Sequence, residues 1–268
     1  MPRITVNGVD LYYEDTGKGA ETIVFSHGLL FSTLQFAPQI AALKDRYRVI
    51  AYDHRGQGQS QVTDDGYDMD NLADDAAGLI EALKIGPCHF AGLSMGGFMG
   101  MRLAARKPHL IKSLILIETT ADPEPEANRP KYNLLNFIAG WFGIRLVVNP
   151  VMNIMFSKSF LTDPVKKADR DLWRERLASN KRTITRAVVG VITRKPIYDE
   201  IHKITCPTLV IVGEEDVATV PAKAERIAAR IPNAKLVRIP KAGHSSSVEQ
   251  PEAVNRAILD FLETQAQE

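Results

Sequence analysis

A serine between two glycines, at the end of a predicted strand, is the residue best placed to do chemistry in this chain. The segment Gly92-Leu93-Ser94-Met95-Gly96 has the pattern G-x-S-x-G, and it lies between a short apolar run, 88–91, and an Ala- and Met-rich run that predicts a helix. A serine on so sharp a turn leaves no room for side chains two positions away, and glycine meets that requirement. The N-terminal amides of the following helix would point at the same place. The pattern therefore predicts that Ser94 is a nucleophile.

A histidine late in the chain is the candidate for the base that this serine would need. A serine hydroxyl is a weak nucleophile at neutral pH and requires a histidine that is itself oriented by a carboxylate. Among the six histidines, His244 is the one that lies late in the chain and directly after a predicted sheet strand. Ligands bind at the carboxyl ends of strands in doubly wound sheets. We therefore predict that His244 is the base.

Several carboxylates could orient His244. Glu214, Glu215 and Asp216 all follow the predicted strand 208–212. Asp216 is preferred, because the first positions after a strand are consumed in turning the chain back. Glu118, at the end of the preceding strand, is the alternative acid.

Backbone amides near Ser94 could stabilise the negative charge that develops on an attacked carbonyl oxygen. The N–H of Met95, the residue after the nucleophile, is one predicted donor. The other would come from the loop that begins with His27-Gly28, where the glycine lets the backbone turn close to the site. Leu29 is the preferred donor in this loop, and Leu30 is the alternative.

Strands that alternate with helices must position these residues. Alternating or apolar runs predict strands over 3–6, 9–14, 22–25, 47–52, 88–91, 113–117, 208–212 and 235–239. Helical spacing predicts helices over 36–44, 69–83, 222–231 and 253–262, and one from the turn after Ser94 to about 107. Asn7-Gly8 predicts a hairpin between the first two strands. This order predicts an α/β fold with a doubly wound, mostly parallel, eight-stranded sheet and an antiparallel hairpin at one edge.

The stretch from 119 to about 204 breaks this alternation. It holds no convincing strand, and its apolar spacing predicts helices over 134–142, 147–156, 166–180 and 185–194. We therefore divide the chain into a core domain, 1–119 and 205–268, and a helical lid, 120–204, inserted between strands 6 and 7. Five aromatic residues of the lid either line a substrate pocket or pack the lid on itself: Trp141, Phe142, Phe156, Phe160 and Trp173.

The composition narrows the class of protein. The chain has 268 residues, 45% of them hydrophobic and 24% charged, as is ordinary for a globular protein. A net charge of +1 without a basic stripe favours neither nucleic acid nor a membrane surface as a partner. The two cysteines, Cys88 and Cys206, cannot form a disulfide scaffold or a C-x-x-C site. We expect a cytoplasmic protein, because the sequence shows no secretory signal and no membrane span. The oligomeric state is not indicated.

Taken together, these motifs resemble those of the α/β-hydrolase superfamily. The resemblance covers nearly the whole chain except the lid. Within the superfamily, the chain is similar to small carboxylesterases, to enol-lactonases of the 3-oxoadipate type and to cofactor-free haloperoxidase-like perhydrolases. The loop Asp53-His54-Arg55-Gly56 is a structural signature of those enzymes, so His54 is expected to pack rather than to catalyse.

The resemblance implies a serine hydrolase that cleaves carboxylic esters of small to medium size through an acyl-enzyme. Ser94, His244 and Asp216 would form the catalytic triad, and the amides of Leu29 and Met95 would form the oxyanion hole. It implies no metal and no organic cofactor. Lactone hydrolysis and perhydrolysis with the same triad are alternatives, and a small-molecule receptor of this fold is a further one. A serine at position 94 argues against the aspartate-nucleophile chemistry of epoxide hydrolases and haloalkane dehalogenases.

Overall fold

An eight-stranded sheet organises the molecule, whose residues 2–265 are described by a computed structural model. The strands are β1 (Arg3–Val6), β2 (Val9–Asp15), β3 (Thr22–Ser26), β4 (Arg48–Tyr52), β5 (Cys88–Leu93), β6 (Ile111–Ile117), β7 (Thr208–Gly213) and β8 (Lys235–Ile239). They lie in the order β1-β2-β4-β3-β5-β6-β7-β8. β2 is antiparallel to both of its neighbours, β1 and β4, and all other pairs are parallel. The predicted sheet and its antiparallel edge are confirmed.

Helices flank the sheet in the positions that the sequence predicts, with small differences at their ends. Those of the sheet region are α1 (Ala37–Leu43), α2 (Met69–Ala82), α3 (Met95–Arg106), α9 (Pro221–Arg230), α10 (Ser246–Glu249) and α11 (Pro251–Gln265). The start of α2 is fixed by Asp68, whose side chain accepts hydrogen bonds from the N–H groups of Asp70 and Asn71. The four-residue helix α10 was not predicted, because so short an element has no periodicity to detect. None of the helices within 2–265 is long and apolar enough to span a membrane.

Alternate residues of the central strands contribute side chains to two separate hydrophobic cores, one on each face of the sheet. Val24, Phe90 and Val210 pack with α2, α3 and α9 on one face. Phe25 and Ala91, their neighbours in sequence, pack with α1 and α11 on the other. Because successive side chains of a strand point to opposite faces, a strand buried on both faces is a continuous apolar run. Burial on both faces explains the apolar runs of β3, β5, β6 and β7. Packing on both faces also supports the carboxyl ends of these strands.

Between β6 and β7 the chain forms five further helices, called here the inserted helices. They are α4 (Arg129–Phe142), α5 (Val148–Met155), α6 (Lys158–Thr162), α7 (Lys167–Ala178) and α8 (Ile184–Ile192). They share a third apolar cluster with Leu30, Phe31 and Tyr67 of the sheet region. A buried ion pair between Arg194 and Glu124, 2.8 Å from Nη1 to Oε2, joins the two ends of the insertion. The short helix α6 was not predicted, although Ser157 caps it by accepting the Phe160 N–H.

Candidate active site

Ser94 occupies a strained turn between β5 and α3. Its backbone has φ 52° and ψ −110°, a region that residues other than glycine rarely adopt. Its N–H donates to the carbonyl of Ile117, 2.8 Å away. A Cβ on Gly92 would lie 2.3 Å from the Gly96 carbonyl oxygen, and a Cβ on Gly96 would lie 2.0 Å from that of Ser26. Both glycines are therefore required by backbone contacts that cannot move aside.

Ser94, His244 and Asp216 form a continuous hydrogen-bonded chain. His244 Nε2 lies 2.8 Å from Ser94 Oγ, and His244 Nδ1 lies 2.9 Å from Asp216 Oδ2. The three residues come from the ends of β5, β7 and β8, which meet at one edge of the parallel sheet. All three side chains are nearly buried, so the chain of hydrogen bonds is shielded from competing water.

Asp216 is held in place by its own loop. Its Oδ1 accepts hydrogen bonds from the N–H groups of Ala218 and Thr219, at 2.7 and 3.0 Å. Its Oδ2 accepts a third, 2.7 Å long, from the Thr219 hydroxyl. Burial by itself would raise the pKa of Asp216, but the charge of His244 and the bonds from His244 and Thr219 outweigh it. The pKa of Asp216 therefore lies well below its ordinary value, and the carboxylate stays ionised beside the imidazole.

The other candidate carboxylates have different partners. Glu118 accepts the Gly213 N–H with both oxygens, at 2.8 and 2.9 Å. Burial, followed by the nearby charge of Asp216, raises the pKa of Glu118 well above its ordinary value. Glu215 accepts the N–H and the hydroxyl of Ser159, and Glu214 is exposed. Within residues 2–265, Asp216 is the carboxylate that contacts the His244 ring.

Two backbone amides beside Ser94 are left without an acceptor. In the part of the chain that the structure describes, neither the Leu29 N–H nor the Met95 N–H donates a hydrogen bond to a protein atom. The Leu30 N–H, the alternative donor, is instead bonded to Gln57 Oε1 at 2.9 Å. Leu30 has a positive φ of 72°. The geometry thus leaves Leu29 and Met95 as the amides available to a bound oxyanion.

Three polar side chains that sequence reasoning missed position these groups. Gln57 holds the Leu30 N–H, and Asn180 Nδ2 donates to the Leu30 carbonyl at 2.9 Å. Thr219 holds Asp216. The neighbourhood of Thr219, three residues after an acid in a loop, is a local signal that could have found it. Gln57 and Asn180 give no such signal, because they are distant from Leu30 in the sequence and contact it only in the folded structure.

His54 lies away from Ser94, in the position expected of a packing residue. Its Nε2 is 2.9 Å from the His27 carbonyl oxygen, and the two imidazole rings lie 4.1 Å apart. Burial, together with the charge of His27, lowers the pKa of His54 well below its ordinary value. It stays neutral inside the core.

A largely apolar cavity of about 120 Å³ opens beside Ser94 and His244. Aliphatic side chains from α4, α5 and α8 form most of its wall: Leu135, Ala139, Val151, Ile154, Val188 and Val191. None of the five aromatic residues singled out in the sequence lines it in the described structure. Phe156 and Trp173 pack with Phe31, and Phe160 stacks on Phe156. Trp141 and Phe142 are exposed. No cluster of three or more His, Cys, Asp or Glu side chains suited to a metal occurs within 2–265.

The family model described as alpha/beta hydrolase fold matches residues 21–251 of this sequence. The chain belongs to the α/β-hydrolase family. Within this family it is 30% identical, over 98% of both chains, to the "Putative carbamate hydrolase RutD" of Caulobacter sp. strain K31.

Solved structures of other α/β-hydrolases superimpose closely on this one. The enol-lactonase of Burkholderia xenovorans LB400 has a TM-score of 0.90 and 30% identity, over 98% of this chain and 100% of its own. A thermophilic esterase from Thermogutta terrifontis has a TM-score of 0.91 and 29% identity, over 99% of each chain. The bromoperoxidase of Bacillus anthracis has a TM-score of 0.84 and 25% identity, over 95% of this chain and 96% of its own. These relatives support hydrolase activity and the predicted superfamily branch.

Proposed function

We propose that this α/β-hydrolase cleaves carboxylic esters of small to medium size through an acyl-enzyme, with Ser94, His244 and Asp216 as its catalytic triad. The observation that carries the proposal is the hydrogen-bonded chain from Asp216 to Ser94, which ends at a cavity beside two unpartnered amides. A nucleophile, a base, an orienting acid and oxyanion donors are the parts that acyl transfer requires.

In the proposed mechanism, His244 Nε2 takes the hydroxyl proton as Ser94 Oγ attacks the ester carbonyl carbon. The carbonyl oxygen becomes an oxyanion that accepts hydrogen bonds from the N–H groups of Leu29 and Met95. Asp216 stabilises the imidazolium. The bond to the alcohol then breaks, and the alcohol leaves with the proton from His244. Water attacks the acyl-enzyme by the same route and releases the acid and free Ser94.

We further propose that residues 120–204 act as a lid that closes over the site and selects the substrate. The aliphatic wall contributed by α4, α5 and α8 favours an ester with an apolar acyl or alcohol group. A carbamate, the substrate class in the name of the RutD relative, carries a polar nitrogen, and the cavity also has polar lining residues, among them Asn136, whose buried Oδ1 accepts no hydrogen bond within residues 2–265. We expect esters to react faster than carbamates for a chemical reason, because resonance from the carbamate nitrogen makes the carbonyl carbon less electrophilic.

Lactone hydrolysis is the second candidate function. A lactone is an ester whose leaving group stays tethered, so the same residues would suffice. The observation that favours it is the similarity to the enol-lactonase over nearly the full length of both chains.

Turnover of matched substrates tests the proposal. We expect kcat/KM on p-nitrophenyl esters to rise about threefold to fourfold with each acyl methylene until the cavity is full, because each buried methylene contributes about 0.8 kcal/mol. Lactones and p-nitrophenyl carbamates of similar size, measured alongside, should react more slowly. Faster turnover of a lactone would make lactone hydrolysis the main function. A turnover below about one per second on every ester would contradict the proposal and favour a receptor.

A further inference from the structure

One part of the catalytic cavity is polar, although most of its wall is aliphatic. Glu124, Tyr132 and Arg194 line this part, which is called here the polar subsite. Arg194 is 6% exposed and Glu124 is 8% exposed, so both charges are almost completely removed from bulk water. Burying charges is costly in free energy unless they are paired, and these two form the ion pair described above. The cavity thus contains groups that can recognise a polar atom of a substrate.

Arg194 uses only part of its capacity to donate hydrogen bonds. A guanidinium carries five N–H donors. Nε donates to the Asp122 carbonyl at 3.1 Å, and Nη1 donates to Glu124 Oε2 at 2.8 Å and to the Val191 carbonyl at 2.9 Å. These bonds leave Nη2 with no protein acceptor within residues 2–265. Nη2 is not one of the fully enclosed polar atoms that lack a partner, so it borders open space. The open space beside this buried side chain is the cavity.

Tyr132 adds a second donor to the polar subsite. In the part of the chain that the structure describes, its hydroxyl has no hydrogen-bond partner and is not fully enclosed. Burial raises the pKa of Tyr132; the charge of Glu124 raises it further, whereas that of Arg194 lowers it. The hydroxyl therefore stays protonated at neutral pH and can donate. Two donors without a partner suit an oxygen atom of the substrate as their acceptor.

The charge of the polar subsite distinguishes between kinds of oxygen. Glu124 balances the charge of Arg194, and its Oε1 accepts a hydrogen bond from Asn128 Nδ2 at 2.9 Å. A substrate carboxylate placed against Arg194 would also lie near the Glu124 carboxylate, and like charges repel each other strongly when they are buried. A neutral carbonyl oxygen would accept the same hydrogen bonds without this repulsion. The ion pair therefore favours a neutral acceptor.

Phe98 connects the polar subsite to the nucleophile. The Arg194 guanidinium lies on the Phe98 ring, with Cζ 4.6 Å from the ring centroid. The Phe98 N–H donates to the Ser94 carbonyl, 3.1 Å away, so the two residues are one helical turn apart. Phe98, Ser94 and Arg194 all line the cavity. An ester whose scissile carbonyl is at Ser94 could therefore reach Arg194 through a short apolar chain.

We propose that the polar subsite selects esters whose acyl or alcohol chain carries a neutral carbonyl group, such as a ketone. Arg194 Nη2 and the Tyr132 hydroxyl donate hydrogen bonds to its oxygen. This inference rests on the proposed function and adds a substrate class to it, an apolar chain that bears one uncharged acceptor. Arg194 and Tyr132 bind the substrate and take no part in proton transfer.

Matched esters test this selection. One series is p-nitrophenyl esters whose acyl chain is plain or carries a ketone at successive positions, and the other is acetates of the corresponding alcohols. We compare the ratio of kcat/KM for the ketone ester to that for the plain ester, at the best ketone position of either series. The ratio should fall about threefold to tenfold in Y132F, because one hydrogen bond to a neutral group is lost.

Y198F is the matched control for Y132F. Within residues 2–265, the Tyr198 hydroxyl also has no hydrogen-bond partner, and the Arg226 guanidinium lies 4.3 Å from the centroid of its ring. Tyr198 does not line the cavity. The ratio of kcat/KM in Y198F should therefore equal that of the wild type.

The isosteric variant E124Q tests the role of charge. It keeps an oxygen for Arg194 and removes the negative charge beside it. In the wild type, the ketone ester should be a better substrate than an ester with a carboxylate at the same position. In E124Q the carboxylate ester should gain at least about tenfold in kcat/KM relative to the ketone ester, because the repulsion is gone. Thermal melts of E124Q and Y132F show that the variants are folded.

Binding to S94A gives a readout that needs no turnover. The Kd values of the ketone and plain esters, measured by calorimetry in S94A and in S94A/Y132F, should show the same preference and the same loss. Ratios that are equal in Y132F and the wild type in both assays, or a wild type that prefers the carboxylate ester, would overturn the proposal. If the wild type hydrolysed no ester while S94A still preferred the ketone, the proposed function would fail and the polar subsite would stand.

Discussion

The same three kinds of side chain meet at both ends of the sheet. At the carboxyl ends of the strands, His244 joins Ser94 to Asp216. At the opposite ends, His89 Nδ1 lies 2.7 Å from Ser113 Oγ, and its Nε2 lies 3.0 Å from Glu21 Oε2. Measured by hydrogen bonds alone, the two arrays are equally well formed.

Their surroundings differ in every respect that acyl transfer depends on. Ser113 is completely buried in the regular strand β6, whereas Ser94 stands on a strained turn at a cavity. The amides near Ser113 belong to the hydrogen-bonded ladder between β5, β6 and β7, so no pair is available to an oxyanion. The ring is also reversed, with Nδ1 rather than Nε2 facing the serine. A serine, a histidine and a carboxylate in contact are therefore insufficient; access, strain and free amides distinguish a site from a structural network.

The largest expected difference between the arrays is at the serines. S94A should lower kcat/KM on esters by about 10⁵- to 10⁶-fold, because it removes the nucleophile. It should also abolish labelling by a fluorophosphonate, detected as an intact mass shift. S113A should keep both activity and labelling, and should lose about 1–3 kcal/mol of stability because the buried His89 Nδ1 loses its partner. Labelling that survives in S94A, or disappears in S113A, would reverse the assignment.

The acids should differ next. D216N should lower kcat by about 10³- to 10⁴-fold, because the amide no longer holds the required His244 tautomer. E21Q should change kcat by less than about twofold and stability by less than about 1 kcal/mol, since the Glu21 side chain is partly exposed. Steady-state kinetics and thermal melts of the two isosteric variants give this comparison directly. Comparable losses of kcat in both would show that the far array matters for catalysis.

The smallest effect is on the pH dependence of stability. Burial lowers the pKa of His89, despite the opposing contact with Glu21. A histidine with a lowered folded-state pKa contributes stability above its unfolded pKa, about 6.5, and that contribution is lost as the pH falls. The Tm of H89Q should therefore fall less than that of the wild type between pH 7.5 and pH 5.5, as measured by differential scanning fluorimetry. Burial also lowers the pKa of His27 and of His54, and both residues remain in H89Q. The slope of Tm against pH should therefore become smaller in this variant without reaching zero. An unchanged slope would contradict this account.

Local patterns explain how much of the molecule the sequence could predict. The turn at Ser94 could be predicted from five consecutive residues. The sheet could be predicted because its central strands are buried on both faces and are therefore continuous apolar runs in the sequence. The sequence favours Leu29 over Leu30 as a donor but could not predict that the Leu30 N–H is already bonded, because Gln57 reaches it from another loop. The aromatic residues of the insertion were equally ambiguous, since helical spacing does not say which side of a helix faces a cavity.

The peptide of Leu30 is tied from both sides, to Gln57 of the sheet region and to Asn180 just after α7. Ile184, which begins α8 four residues after Asn180, lines the cavity. A ligand that pushes the start of α8 outward therefore pulls on the loop that carries the Leu29 amide. An oversized ester would still enter and bind, but its tetrahedral intermediate would meet a displaced donor. We expect discrimination against bulky substrates to appear as slow turnover at nearly unchanged KM. The enzyme would thus discriminate between substrates of different size in the transition state and not when they bind.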